Sequence, residues 1–491
     1  MMDDLLARDA TEQIAALNAR RVSSVELLKA ALARHEQTHA RLNAVVAVDL
    51  DRALDRARAI DDLRNRGEAV GLLAGLPMTV KDTLDVVGMP ASSGLAALRR
   101  RQAHDAVAVA NAKAAGAVIW GKTNTPVMAG DWQTFNALYG TTNNPWDAER
   151  TPGGSSGGAA AALAAGVTAL EIGSDIGGSL RIPASFCGVF SHKPTWGLVD
   201  QRGHVPPSPG SWSVRDLNVI GPMARTARDL RLLLAVIEDG PLAPKAPAGD
   251  LKGTRIALWL DEPSFPLDPQ VRSVLESLAA ELTAAGADVT PIASPAHMPT
   301  LMAAYQTLLG GIIGEDMPDA MVRSMQRLRG WARWSMNRGA APTSTAAMTL
   351  AYTATHREWL AADAVRNRLR HEIAGVFEGF DAILAPITPV TAFPHDHRPF
   401  TQRRLVQSDG GSMPYASMLN WISLATALRL PATAIPAGLS ASGLPVGAQL
   451  IGSLNSDARM LALAQAIEEN VSGFIPPPLD PQDPGSSASR A

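Results

Sequence analysis

An α/β fold with a mainly parallel or mixed sheet is the fold class that the sequence predicts. From about residue 72 onward, short apolar runs bounded by Gly, Pro and Asn alternate with stretches of helical length. Alternation of this kind is typical of a sheet whose strands are connected by helices. The chain has 491 residues, 46% of them hydrophobic and 19% charged, which is enough length and apolar content to bury a large core.

Periodicity and turn residues predict the individual elements. Ser23 and Glu26 form a capping box within the first helical region. The predicted helical regions are 5–66, 104–115, 226–238 and 300–376. The predicted strands are Met78–Val80, Val118–Trp120, Ala169–Ile172, Arg255–Leu258, Val289–Pro291, 382–386, 432–436 and 446–451. Residues 239–250 are expected to form a linker or surface crossing, and the Pro- and Ser-rich segment 476–491 a disordered tail.

Composition and charge exclude several classes of protein. The balance of 44 basic against 47 acidic residues gives no electrostatic reason to expect nucleic acid as a partner. A single cysteine, Cys187, excludes an intramolecular disulfide framework and a Cys-rich zinc module. The N-terminus is acidic where a signal peptide would be basic, and the most apolar stretch, 157–172, is shorter than roughly 20 residues and contains Glu171. We therefore expect a soluble, cytoplasmic protein.

Three short patterns match known motifs but lack the structural context that those motifs require. Residues 116–123 fit the phosphate-binding pattern GxxxxGK[ST], yet the four middle residues are themselves a predicted strand and no helix follows. Residues 153–157 fit the nucleophile elbow GxSxG, yet no strong strand leads into them. The His-Asp-His sequence at 395–397 is a weak metal candidate and is predicted to be a solvated turn.

Two glycine-rich segments and one lysine are the residues that point to chemistry. Lys81 ends an apolar strand, where burial would favour the neutral form that can act as a base. Residues 152–158 and 173–183 each place serine among glycines, on turns that can present a hydroxyl and backbone N–H groups to a cleft. Taken singly, each has a structural alternative: a lysine paired with Asp82, a helix-capping turn, and a plain turn. Together they supply a serine nucleophile, a relay and a base without histidine.

The chain resembles the amidase signature family over roughly 60–470. The motifs that carry the resemblance are GLPMTVKDTLDVVGMP, GKTNTPV, NALYGTTNNPWD, TPGGSSGGAAAA and GSDIGGSLRIPASFCGVFSHKPTWG, followed by FDAILAPITP and LPATAIPAGLSASGLPVGAQLIG. The resemblance implies a large, mixed, twisted β-sheet covered by helices on both faces. It also implies one domain over 1–475, with its signature core at about 71–199 and a variable helical pocket region at about 300–376.

Site residues follow from the same resemblance. The family's Ser–cisSer–Lys triad falls on Ser179 as nucleophile, Ser155 as relay and Lys81 as base, with a cis peptide bond between Gly154 and Ser155. The resemblance implies an oxyanion hole formed by the backbone N–H groups of Ile176, Gly177, Gly178 and Ser179. It implies supporting roles for Ser156, Asp175 and Arg181, and an acyl site lined at Ala129 and Gly130. Cys187 is expected to be structural, and no metal or organic cofactor is expected.

The substrate is less well defined than the reaction. The segments expected to build the pocket are 127–133, 203–214 and 300–353. The resemblance also includes a tRNA-dependent amidotransferase subunit that usually has RQPA after the nucleophile, whereas this chain has RIPA at 181–184. We therefore expect a free-standing hydrolase of small apolar or aryl amides, acting as a monomer or homodimer. A carbamate (urethane) or ester hydrolase is the alternative, and an amidotransferase subunit or a non-catalytic binding module is a remote one.

The helical region at 300–353 contains two further patterns. Met317, Met321 and Met325 recur every four residues and are predicted to pack into the core on one helix face; the alternative is a flexible apolar substrate wall that includes Trp331 and Trp334. A basic run without acidic residues comprises Arg323, Arg327, Arg329, Arg333 and Arg338. This run is predicted to be a solvated face, with a role at a membrane surface or with an acidic substrate as the alternative.

Overall fold

Strands and helices alternate along most of the chain, in a computed structural model that describes residues 2–100, 104–207, 213–238, 251–340 and 344–479. The helices are α1 (Met2–Ala7), α2 (Ala10–Asn18), α3 (Ser24–Leu42), α4 (Leu50–Asn65), α5 (Val107–Ala114), α6 (Gly157–Ala164), α7 (Arg181–Cys187), α8 (Ala227–Ile237), α9 (Pro269–Ala284), α10 (Met298–Glu315), α11 (Asp319–Arg327), α12 (Arg329–Asn337), α13 (Thr345–Tyr352), α14 (His356–Ala374), α15 (Val376–Gly379), α16 (Ser423–Ala427) and α17 (Asp457–Asn470). The strands are β1 (Val45–Val48), β2 (Pro77–Lys81), β3 (Val118–Thr123), β4 (Phe135–Asn136), β5 (Gly140–Thr141), β6 (Leu170–Asp175), β7 (Phe190–Lys193), β8 (Val219–Ala224), β9 (Arg255–Leu258), β10 (Asp288–Pro291), β11 (Ala382–Pro386), β12 (Arg404–Val406), β13 (Ser412–Pro414), β14 (Ala432–Leu439) and β15 (Pro445–Ile451). The predicted linker 239–250 and residues 480–491 of the predicted tail lie outside the described residues.

A mixed sheet of 11 strands forms the centre of the described structure, which confirms the predicted fold class. Its strand order is β1-β3-β2-β6-β8-β7-β14-β15-β11-β9-β10. The neighbours β3, β2 and β6 run parallel to one another, as do β11, β9 and β10, whereas β8, β7, β14 and β15 pair antiparallel. Two parallel segments are therefore joined by an antiparallel centre.

Both faces of this sheet are covered by helices. Because successive side chains of a strand point to opposite faces, Ala382 and Leu384 of β11 enter one hydrophobic core while Ile383 and Ala385 enter another. Helices α5, α8, α9 and α17 contribute to the first core, and α6, α7, α10, α14 and α16 contribute to the second. In the parts of the chain that the structure describes, there is no helix whose length and apolarity would let it cross a membrane.

The structure confirms most predicted elements and corrects others. Every predicted strand is present, with ends displaced by a few residues. The helical prediction for 5–66 is wrong at Val45–Val48, because these residues pair with β3 at the sheet edge. Strands β7 and β8 of the central sheet were not predicted, nor were the short strands β4, β5, β12 and β13 of two small sheets. Gly221 and Pro222 interrupt the β-forming residues of β8, so its sequence lacks a strand pattern although it pairs with β6 and β7.

The fold brings the ends of two strands together at the site. β2 and β6 are parallel neighbours, with Thr79 opposite Glu171 and Val80 opposite Ile172. Their carboxyl ends therefore lie side by side, and Lys81 is the last residue of β2. Clefts at the carboxyl ends of parallel strands are a common location for ligand sites in α/β proteins.

Candidate active site

Lys81 lies at the centre of a buried cluster of hydroxyl groups. Its Nζ donates hydrogen bonds to Oγ of Ser155 at 2.7 Å and to Oγ of Ser174 at 2.9 Å. The side chain is fully buried, and burial lowers its pKa to about 7, against the opposing influence of Asp175 and Glu171. A large fraction of Lys81 is therefore neutral near pH 7 and able to accept a proton.

Ser155 is held by a tightly enclosed glycine loop. The peptide bond between Gly154 and Ser155 is cis, as expected. A Cβ on Gly154 would lie 2.5 Å from the carbonyl oxygen of Asp131, so no larger residue fits there without movement of the backbone. Thr134 Oγ1 also donates to the carbonyl oxygen of Gly153 at 2.8 Å. The loop before α6 is thus a packed structure that fixes Ser155 against Lys81.

Ser179 lies on the turn between β6 and α7 and opens into the same cavity as Ser155 and Ser174. The backbone N–H of Ser156 donates to the carbonyl oxygen of Ser179 at 3.2 Å, which brings the two glycine-rich segments into contact. Within the described ranges, Oγ of Ser179 has no hydrogen-bond partner. The structure therefore joins Lys81 directly to Ser155 and places Ser179 in the shared cavity, without a hydrogen bond between the two serine hydroxyls.

The peptide groups of the turn at 176–179 are held in fixed orientations by buried side chains. Tyr305 donates from its hydroxyl to the carbonyl oxygen of Ile176 at 3.0 Å, and Trp132 donates from Nε1 to that of Gly177 at 2.8 Å. Among the described residues, the N–H groups of Ile176, Gly177 and Ser179 have no acceptor and remain available to an oxyanion. Gly178 corrects the sequence prediction, because its N–H already donates to Oδ1 of the preceding Asp175 at 2.8 Å.

Asp175 and Arg181 form a buried ion pair that supports this turn. Arg181 donates from Nε and Nη2 to the two carboxylate oxygens of Asp175, both at 3.1 Å, and further to Gln449 at 2.9 Å and to Thr426. Both charged side chains are fully buried. Burial alone would raise the pKa of Asp175, but the ion pair with Arg181 and the hydrogen bond from Gly178 hold it below its ordinary value.

Breaking this buried ion pair is expected to destabilise the protein strongly. In Arg181→Met the carboxylate of Asp175 is left buried without its cation, so we expect the free energy of unfolding to fall by about 3–5 kcal/mol. Urea unfolding followed by tryptophan fluorescence measures the loss. The double variant Asp175→Asn/Arg181→Met is the matched control and should recover part of it. A single Arg181→Met variant within about 1 kcal/mol of the wild type would contradict this account.

Two buried polar side chains next to Lys81 were not among the predicted site residues. Ser174 precedes Asp175 at the end of β6. Glu171 lies on β6, where its Oε1 accepts a hydrogen bond from Oγ1 of Thr79 at 2.6 Å. Burial raises the pKa of Glu171 to about 8, so this carboxyl group is mostly neutral at pH 7. The sequence signal for Glu171 is a charged residue inside an otherwise apolar strand run, whereas Ser174 carries no such signal.

A cavity of about 550 Å³ extends from the serine hydroxyls to the surface. Ala129 and Gly130, the residues predicted to line an acyl site, are part of its wall. The three segments expected to build the pocket all contribute, but Phe400, Ala416 and Leu419 also line it and were not predicted. Its apolar side chains include Met128, Trp132, Ile176, Leu309, Ile312, Met317, Met348, Phe400 and Leu419.

The methionine prediction in the helical region is wrong. Met317 lines the cavity and lies before α11, because Pro318 caps that helix at its N-terminus. Met321 is half-exposed on α11, so the methionines do not share a buried helix face. Trp331 and Trp334, on α12, are likewise half-exposed and are not part of the cavity wall.

The basic run is partly neutralised by an acidic residue from another helix. Arg329 and Arg333 both donate to Oε1 of Glu358 on α14, at 2.6 and 3.0 Å. The guanidinium group of Arg338 lies 4.2 Å from the ring centroid of Trp334. These contacts fit the predicted solvated face.

The residues of the three short motif matches have other roles in the structure. Lys122, in the GxxxxGK[ST] match, is fully buried on β3 and donates to the carbonyl oxygen of Leu84. No strand leads into Gly153 of the GxSxG match. In the His-Asp-His turn, Asp396 is bound by Arg398 at 2.7 Å. Cys187 is buried, with the pKa of its thiol raised by burial, which fits the expected structural role.

Comparisons with known proteins agree with this architecture. The profile of the Amidase family matches residues 26–461. One curated relative, a glutamyl-tRNA(Gln) amidotransferase subunit of Thermosynechococcus vestitus, is 33% identical over 475 residues, covering 91% of this chain and 94% of the relative. A crystal structure of an amidase superposes with a TM-score of 0.76 at 28% identity, covering 94% and 99% of the two chains. A 6-aminohexanoate cyclic dimer hydrolase superposes with a TM-score of 0.74 at 26% identity, covering 95% and 97%.

Proposed function

The chain belongs to the amidase family, and from this premise we propose that it hydrolyses the C–N bond of small, neutral, apolar or aryl amides through an acyl-enzyme on Ser179. The observation that carries the proposal is the contact of 2.7 Å between Nζ of Lys81, whose pKa is lowered to about 7, and Oγ of Ser155, at the end of a cavity that also contains Ser179. A base, a relay and a nucleophile are the parts that acyl transfer by serine requires.

The reaction proceeds through two transfers that use the same groups. Oγ of Ser179 attacks the amide carbonyl carbon while its proton passes to Ser155, and the proton of Ser155 passes to Nζ of Lys81. The free N–H groups of the turn then stabilise the oxyanion. As the C–N bond breaks, Lys81 returns a proton through Ser155 to the leaving nitrogen. After the amine or ammonia leaves, water attacks the ester while its proton passes through Ser155 to Lys81. Lys81 then returns a proton through Ser155 to Oγ of Ser179 as the ester bond breaks, giving a carboxylic acid. The contact between the two hydroxyls is expected to form when substrate binds, since catalytic hydrogen bonds often tighten only in the complex.

The cavity favours an uncharged acyl group. Among its described lining residues, Asp131 is bound by Arg403 and by the hydroxyl of Tyr415, both at 2.6 Å. Arg215, the guanidinium group on the wall, is bound to Asp316 at 2.6 Å. The charged groups of the wall are thus paired within the protein, and a carboxylate or ammonium on the substrate would be buried without a counterion, at a cost of several kcal/mol.

A pair of substrates of equal length tests this selectivity. We expect hexanamide to be hydrolysed with a kcat/KM at least about 100-fold higher than 6-amino-6-oxohexanoate, which carries a carboxylate in place of the terminal methyl group. Release of ammonia, measured at several concentrations of each amide, gives the two constants. Equal constants, or a preference for the charged amide, would contradict the apolar assignment while leaving the amidase assignment intact.

Carbamates and esters meet the same nucleophile and oxyanion donors, so they are the variant of this function to be screened. An anilide, a phenyl carbamate and a phenyl ester that carry the same chain on the carbonyl group separate the three activities, through the rate at which each is hydrolysed.

An amidotransferase subunit is the second candidate, favoured by the identity of 33% to the curated amidotransferase relative. That candidate predicts hydrolysis of glutamine in preference to hexanamide. The paired charges of the cavity and the buried, apolar Ile182 after the nucleophile support the free-standing hydrolase instead.

A further inference from the structure

His204 lies at the edge of the cavity, one hydrogen bond away from Lys81's partner Ser174. Its Nε2 is 2.9 Å from Oγ of Ser174, and its Nδ1 is 2.6 Å from the carbonyl oxygen of Pro206. The imidazole is nearly buried, 6% exposed. A chain of hydrogen bonds thus runs from the carbonyl oxygen of Pro206 through the side chains of His204 and Ser174 to Nζ of Lys81.

The backbone around His204 is fixed to the segment that follows Lys81. The N–H of Asp85 donates to the carbonyl oxygen of Gly203, and the N–H of Val205 donates to that of Thr83, both at 2.8 Å. Gly203 has φ +87°, and a Cβ there would lie 2.5 Å from Cα of Ala106, so glycine is required for this approach. The position of His204 is therefore built into the fold next to β2.

The direction of each hydrogen bond in this line follows from its fixed end. A carbonyl oxygen only accepts, so Nδ1 of His204 must carry a proton. Burial, together with the neighbouring Lys81, lowers the pKa of His204 to about 3, so the ring is neutral and Nε2 is an acceptor. The hydroxyl proton of Ser174 then points to Nε2, and Oγ of Ser174 can only accept from Lys81.

We propose that His204 is a positioning residue that makes Ser174 a hydrogen-bond acceptor toward Lys81 and thereby reserves the lone pair of Lys81 for the proton of Ser155. A neutral amine has two hydrogens and one lone pair. If the hydroxyl of Ser174 were free to rotate, it could donate into that lone pair and compete with Ser155. This inference rests on the proposed role of Lys81 as the base.

Two substitutions of His204 separate this role from a structural one. The longer side chain of His204→Gln keeps an acceptor near the position of Nε2. The shorter amide of His204→Asn lies near the position of Nδ1, so it can contact Pro206 but not Ser174. We expect His204→Asn to lower kcat by about 10- to 100-fold with KM nearly unchanged, and His204→Gln to retain most of the activity. In a Ser174→Ala background, where no hydroxyl competes, His204→Asn should have no further effect. Equal losses in both variants, or a full additional loss in the Ser174→Ala background, would overturn the proposal.

A measurement that does not depend on turnover keeps this inference distinguishable from the proposed function. In protein labelled with ¹⁵N-histidine, the spectrum of His204, assigned through His204→Gln, should show a protonated Nδ1 and an unprotonated Nε2. An Nε2-protonated ring would overturn the inference alone. If the nitrogens are as expected but neither amides, carbamates nor esters are hydrolysed, the proposed function fails and the hydrogen-bond direction stands.

Discussion

Ser179→Ala is expected to lower kcat/KM for a good amide substrate by about 10⁵-fold, because the substitution removes the oxygen that forms the acyl-enzyme. The fold should be unaffected, since Oγ of Ser179 has no hydrogen-bond partner among the described residues and faces the cavity. Initial rates of hydrolysis, with the thermal unfolding midpoint measured on the same samples, separate loss of chemistry from loss of structure.

Ser191 provides a matched control for this substitution. It is also a buried serine, and its Oγ has no hydrogen-bond partner among the described residues, but it lies on β7, away from the cavity wall. We expect Ser191→Ala to keep wild-type turnover. A Ser179→Ala variant that is folded and retains more than about a tenth of the activity would show that another group is the nucleophile.

Lys81→Met is expected to lower kcat/KM by about 10⁴-fold. Methionine fills a similar volume but cannot accept the proton of Ser155, so Ser179 would lose its route to a base. The folded state should not suffer, because burying an amine is costly and an apolar side chain avoids that cost.

The wild type should show a matching pH dependence of kcat/KM. Since the neutral amine is the active form and its pKa is about 7, kcat/KM should fall tenfold per pH unit below pH 7 and level off above it.

Lys193 tests whether any buried lysine would give this result. Burial lowers its pKa to about 7 as well, but its Nζ donates to the carbonyl oxygen of Pro194, and among the described residues it has no hydrogen bond to Ser155 or Ser179. We expect Lys193→Met to retain most of the activity and the acid limb of the pH profile. Loss of that limb in Lys193→Met, with its retention in a residually active Lys81→Met, would reverse the assignment of the base.

The predicted site residues that lie in continuous motifs could be picked out from local sequence. Lys81 at the end of an apolar run and the glycine-flanked Ser155 and Ser179 stand out in the sequence. In the structure Ser155 and Ser179 line one cavity, and Lys81 is hydrogen-bonded to Ser155. The hydrogen-bond pattern within a motif was harder to predict. Gly178 was assigned as an oxyanion donor from its place in the sequence, whereas its N–H is taken by Asp175.

Residues that reach the site from distant parts of the chain carried no signal that sequence alone could resolve. Phe400 and Leu419 come to the cavity from two short 3-10 helices far beyond the signature core. His204 is an isolated histidine whose role depends on a contact with Ser174 across 30 residues. Met317 was predicted to share a helix face with later methionines, but Pro318 ends that continuity. Each of these depends on tertiary geometry, which periodicity does not encode.

Labelling with a fluorophosphonate probe is the measurement that tests the nucleophile and its base together. The wild-type protein and the Lys81→Met variant are treated side by side, and the adduct is located by peptide mass. We expect one adduct on Ser179 in the wild type and a much slower reaction in Lys81→Met. An adduct on Ser155 or Ser156, or labelling of Ser179 at the same rate without Lys81, would contradict the proposed triad.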